Sequence, residues 1–111
     1  MSGMAVARGK GTDSVLSNTG ILSNCAQPVV VATDECSDDV FVNGIGVVRE
    51  GDKVVKHKKR GCDDDTSVLN KFLSSTVYVN EKKLGRNGSK YTSGTEKNVI
   101  TSGSRNVFTA Y

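Results

Sequence analysis

The feature that most constrains this chain is an internal repeat. Shifted by 37 residues, positions 37–53 fall on positions 74–90. Ser37-Asp38-Asp39-Val40-Phe41-Val42-Asn43-Gly44 then matches Ser74-Ser75-Thr76-Val77-Tyr78-Val79-Asn80-Glu81. The match continues from Val47-Val48-Arg49-Glu50-Gly51-Asp52-Lys53 to Leu84-Gly85-Arg86-Asn87-Gly88-Ser89-Lys90. A shift of 41 puts Gly3-Met4-Ala5-Val6-Ala7-Arg8 on Gly44-Ile45-Gly46-Val47-Val48-Arg49. The Ser-x-x-Val-aromatic opening returns a third time in Ser104-Arg105-Asn106-Val107-Phe108. Three outgoing segments, after Gly3, Gly44 and Glu81, therefore alternate with three returning ones, which begin near Ser37, Ser74 and Ser104. Units this short cannot bury a core alone and must pack on one another. In a chain of 111 residues, this predicts a single domain, 1–111, with approximate three-fold symmetry.

Local sequence favours strands. Val29-Val30-Val31, Val40-Phe41-Val42, Val47-Val48, Val54-Val55, Val77-Tyr78-Val79 and Val99-Ile100-Thr101 are short β-branched runs bounded by turn formers. Asn43-Gly44 between two such runs predicts a type I′ hairpin, whose central residues both need positive φ. The hydrophobic share is 36%, with three Phe, three Tyr and no Trp, which excludes a thick helical core. One helix is expected over residues 64–73, capped by Asp64 or Asp65, with Val68, Leu69 and Phe72 on one face. Low hydrophobicity also fits a disordered chain, but the regular strand runs and the hairpin chemistry argue against it. The longest apolar run, Val29 to Ala32, is far below the roughly 20 residues of a membrane span. The N-terminal residues lack the apolar stretch of roughly 7–15 residues that a secretory signal needs. A soluble protein made in a cytoplasm, with reduced thiols, is expected.

The segment from Val40 through Asn43-Gly44 and Gly46-Val47-Val48-Arg49 to Gly51-Asp52 resembles the repeat of the PAAR family. That repeat carries a strand, an Asn-Gly turn, a Pro-Ala-Ala-Arg segment and Gly-Asp, then a loop with His or Cys. Here Ala5-Val6-Ala7-Arg8, Gly46-Val47-Val48-Arg49 and Lys83-Leu84-Gly85-Arg86 stand in the Pro-Ala-Ala-Arg place, and only the Arg is kept in all three. The resemblance covers nearly the whole chain and implies a small, conical, all-β, pseudo-three-fold structure. It further implies the tip that caps the trimeric spike of contractile phage tails and type VI secretion systems.

Cys25, Cys36, His57 and Cys62 are every Cys and His in the chain. An odd cysteine count speaks against a closed disulfide framework. In the out-and-back topology, with the Asn43-Gly44 hairpin at the base, all four lie on excursions toward the opposite end. Three thiolates and an imidazole suit tetrahedral Zn²⁺ ahead of iron, although Cys25-x10-Cys36 and His57-x4-Cys62 are not zinc-ribbon spacings. The alternative is three free thiols and a surface histidine. PAAR-like tips carry one metal near the apex, and His57 after Gly51-Asp52 occupies the matching place. One structural metal ion held by Cys25, Cys36, His57 and Cys62 is therefore expected. With four protein ligands, such a site has no open position for catalysis.

The other motifs are weaker. Lys56-His57-Lys58-Lys59-Arg60 is basic, but Asp63-Asp64-Asp65 follows at once and cancels most of it. Those aspartates lack the spacing of a calcium loop. There is no nucleophile elbow and no phosphate loop, so no enzyme is expected. Phe41, Tyr78 and Phe108 hold equivalent places in the returning segments and are expected to form one shared core layer. The expected function is mechanical: a membrane-piercing spike tip, located on a virion baseplate after synthesis in the host cytoplasm. Its partners are a trimeric β-helical spike, one tip per trimer, and the target cell envelope, with no nucleic acid and no small-molecule substrate. Absence of any effector segment favours a phage tail. The alternative is a metal-stapled module that binds nucleic acid through Lys56 to Arg60.

Overall fold

Alternating Val-rich runs and glycine-bounded turns produce short strands, and strands are all that the chain forms where it is described. The structure, a computed structural model, describes residues 4–17, 29–58, 64–65, 67–74, 76–92 and 98–109. In chain order the strands are β1 (Met4–Ala5), β2 (Ser14–Ser17), β3 (Val29–Ala32), β4 (Phe41–Val42), β5 (Ile45–Gly46), β6 (His57–Lys58), β7 (Asp64–Asp65), β8 (Val68–Lys71), β9 (Tyr78–Val79), β10 (Lys82–Lys83), β11 (Lys90–Thr92), β12 (Asn98–Ile100) and β13 (Phe108–Thr109). The protein is all-β, with no helix among the described residues.

Three two-stranded antiparallel pairs, the first two of them hairpins, share one register: Phe41 opposite Gly46 in β4–β5, Tyr78 opposite Lys83 in β9–β10, and Phe108 opposite Ala5 in β13–β1. Asn43 and Gly44 have φ of 55° and 77°, and Asn80 and Glu81 have 53° and 67°. Both turns thus take the positive-φ pair of a type I′ turn, as expected for Asn43-Gly44.

The segment leaving each pair bridges to the next. Arg8 pairs with Val47, Arg49 with Leu84, and Arg86 with Val6, which closes a ring. Three backbone bonds run the same circuit: Val48 N–H donates to Ala7 O (3.1 Å), Gly85 N–H to Val48 O (2.9 Å), and Ala7 N–H to Gly85 O (3.2 Å). The returning segments dock alike: the N–H of Ser37, Ser74 and Ser104 donates to Val47 O, Leu84 O and Val6 O. Each of these serines caps its own turn, accepting from the N–H of Val40 (3.1 Å), Val77 (3.2 Å) and Val107 (3.0 Å).

Beyond the ring lies a five-stranded sheet, ordered β3-β2-β12-β11-β8. One stretch of chain meets both of its edges: Thr33 bridges Val54 on one side, and Val68 bridges Lys53 on the other. Ala7, Val48 and Val54 pack there with Val15, Leu69, Tyr91 and Ile100 in the larger core; Val6, Val47, Val79 and Leu84 form a smaller one below the ring. Two bidentate ion pairs brace the loops, Arg8–Asp13 at 3.1 Å and Arg49–Asp52 at 3.0 Å. At the third equivalent place Ser89 replaces the aspartate, and the buried Arg86 Nε has no partner among the described residues.

Two expectations are corrected. Residues 64–73 do not form a helix: β7 and β8 occupy that stretch, and Phe72 has φ of 56°. Leu69, fully buried, lies opposite Tyr91 in the sheet, and that pairing overrides a local helical spacing. Nor do Phe41, Tyr78 and Phe108 form a core layer, being 56%, 57% and 49% exposed. Strand alternation turns Val42 and Val79 toward the lower core, so the aromatic before each faces outward.

Candidate functional site

The four expected metal ligands divide. Cys25 and Cys62 lie outside the described residues, as do Lys59 and Arg60 of the basic run. Cys36 lies three residues beyond the Thr33–Val54 bridge in one direction, and His57 three beyond it in the other. Six residues of extended chain span about 20 Å, so one ion cannot reach both side chains. Cys36 acts here as a small apolar group. It packs against the larger core, and a Cβ added at Gly46 would stand 2.9 Å from its Sγ. Burial pushes its thiol pKa up, so the reactive thiolate is disfavoured.

His57 is held by protein. Its Nδ1 is 2.7 Å from Val55 O, and a carbonyl only accepts, so that nitrogen carries the proton. Nε2 is 2.5 Å from the hydroxyl of Ser17. The network continues through Asn98 Oδ1, 2.5 Å from Ser17 Oγ, and Asn98 Nδ2, which donates to Ser67 Oγ at 3.0 Å. Ser17, Ser67 and Asn98 are buried. The Ser17 hydroxyl, with one proton to donate, thus stands between the histidine and the buried Asn98 amide oxygen. The described residues therefore do not fit the expected four-ligand centre: Cys36 is at another level, and a metal at Nε2 has to displace Ser17. No cluster of three or more metal-ligating side chains occurs among the described residues.

In the strand pair β6–β7, Lys58 lies opposite Asp64 and His57 opposite Asp65.

A second site was not visible as a motif. On the underside of the ring is an apolar concavity of about 240 Å³. Its floor is Val6, Val47 and Leu84, its walls Val42, Val79 and Thr109, and its rim Val40, Val77 and Val107. Phe108 adds a tenth lining residue. The rim valines are 37%, 38% and 37% exposed, the same value at three places 30 or more residues apart in sequence. The one wall hydroxyl, on Thr109, is 3.1 Å from Ser74 Oγ and is thereby satisfied within the protein. The sequence signal that could have located this face is the alternation in the returning segments, where Val40, Val42, Val77, Val79 and Val107 share one parity. No family model matches the chain, and no curated protein matches it.

Proposed function

We propose that this protein is a structural spike tip: a small pseudo-three-fold cone whose broad face seats on the blunt end of a trimeric β-helical spike in a contractile injection machine. The observation that carries this reading is the lining of the concavity. Nine of its ten residues fall into three complete sets of three, one member of each set from each strand pair and its outgoing segment. A homotrimer repeats every side chain three times about its axis. A single chain that repeats its own surface three times meets such a partner without mismatch.

The closed ring of bridges supports the mechanical part of the reading, because load on one segment passes to both others through backbone hydrogen bonds. The apex meets the target cell envelope in this scheme. A structural ion, Zn²⁺ ahead of iron, belongs to the proposal only through Cys25, His57 and Cys62, without Cys36. The protein has no catalytic role here and works at the tip of a virion baseplate.

Native mass spectrometry of the chain mixed with its cognate spike tests the reading. One chain per three spike chains is the expected stoichiometry. No complex with the spike, together with steeply salt-dependent binding to duplex DNA, would overturn it in favour of a nucleic-acid module.

A further inference from the structure

The shape and charge of the concavity go further, and this step rests on the tip reading. We infer that the partner's end is convex, apolar and uncharged: a plug on its three-fold axis, to which each of three chains contributes one small aliphatic side chain.

Volume comes first. The concavity offers about 240 Å³, many times the roughly 10–15 Å³ that admits one water, so it has room for side chains from a partner. A flat partner leaves the recess unfilled, and its lining then forfeits those dispersion contacts. A second copy of this chain fits no better, because two hollows placed face to face enclose a larger void.

Charge comes second. None of the ten lining residues carries a charge, and the one side-chain hydroxyl among them, on Thr109, is 3.1 Å from Ser74 Oγ. A symmetric trimer presents the same group at all three places. Only what recurs can be read three times, and what recurs is the uncharged set Val40, Val77 and Val107. A neutral end is therefore the complementary one.

The test uses defined trimers as probes: parallel three-stranded coiled coils whose ends carry three valines, three glutamates or three lysines. Titration calorimetry with the full chain is expected to give one chain per valine-ended trimer. The affinity should change less than about twofold between about 50 and about 500 mM salt, since no charge pair carries it. The two charged ends should bind at least about tenfold more weakly. Val107→Glu, at the exposed rim, should cost about tenfold or more while leaving the melting temperature within error, which separates lost docking from lost folding. Equal binding of the three ends, or preference for a charged one, overturns the inference. So does a free chain that sediments as a dimer dissociated by Val107→Glu. Binding of the cognate spike with no binding of the valine-ended trimer overturns the plug and leaves the tip reading standing.

Discussion

Tyr91→Phe should make this protein more stable. Tyr91 is fully buried in the larger core, and its hydroxyl has no hydrogen-bond partner among the described residues. An unpartnered buried hydroxyl costs about 1–3 kcal/mol relative to its hydrated state. Deleting one oxygen forfeits only a few dispersion contacts of about 0.1–0.2 kcal/mol each. The balance is a gain of about 1 kcal/mol, or about 4 °C in a domain of this size. Burial, reinforced by the negative charges of Asp52, Asp34 and Asp13, holds the phenol well above its ordinary pKa of 10.0. A pKa raised in the folded state means stability that is complete below pH 10 and is lost as pH climbs from there toward the folded value. The advantage of Tyr91→Phe should therefore widen above pH 10. Urea denaturation of both proteins from pH 7 to 11 measures the two effects together. A variant less stable than the parent at pH 7, with an unchanged difference at pH 11, would refute both the missing partner and the burial argument.

Asp39 accepts hydrogen bonds from Asn80 Nδ2 and Ser37 Oγ, and these hold its carboxyl below the usual carboxylate value. A depressed pKa contributes stability above its unfolded value that fades as pH falls, so Asp39→Asn should flatten the acid limb of a melting curve followed from pH 5 to 2. Gly46→Ala should destabilise by about 2 kcal/mol or more, because its Cβ lands on the Ser37 carbonyl oxygen and the Cys36 thiol; chemical denaturation reads this. Cys36→Ala should leave bound metal per chain unchanged in elemental analysis, whereas Cys62→Ser lowers it; a loss of metal on Cys36→Ala would contradict the level assigned to Cys36.

The hairpins were legible because their chemistry is local. Asn43-Gly44 needs positive φ wherever it sits, and the register of the repeats leads directly to the ring of bridges. The stretch 64–73 was not legible. Val68, Leu69 and Phe72 lie at helical spacing, yet Leu69 is fixed opposite Tyr91, a partner 22 positions away that no window on the local pattern includes. The aromatics failed for a different reason. In Val40-Phe41-Val42 only one parity can face inward, and two valines on it outweigh one phenylalanine. For the candidate ligands, topology located the excursions but not the depth of each side chain, which depends on where the chain turns after Thr33 and after Val54. The apolar concavity was not legible because no single residue marks it. It exists only when three distant valines are brought to one rim.

The strand pair formed by β1 and β13 joins residues far apart in the sequence, Met4 and Thr109. Closing a loop of about 105 residues costs about 4 kcal/mol in chain entropy by the logarithmic law, against about 0.6 kcal/mol for a two-residue turn. The two hairpins can form as soon as they leave the ribosome, but the third pair waits for the last strand to be made. A nascent chain lacking β13 holds every residue of the ring of bridges but leaves β1 unpaired and the concavity without Phe108 and Thr109. Completion is thus timed by synthesis itself: the three-fold lining of the concavity does not exist until translation has passed Thr109.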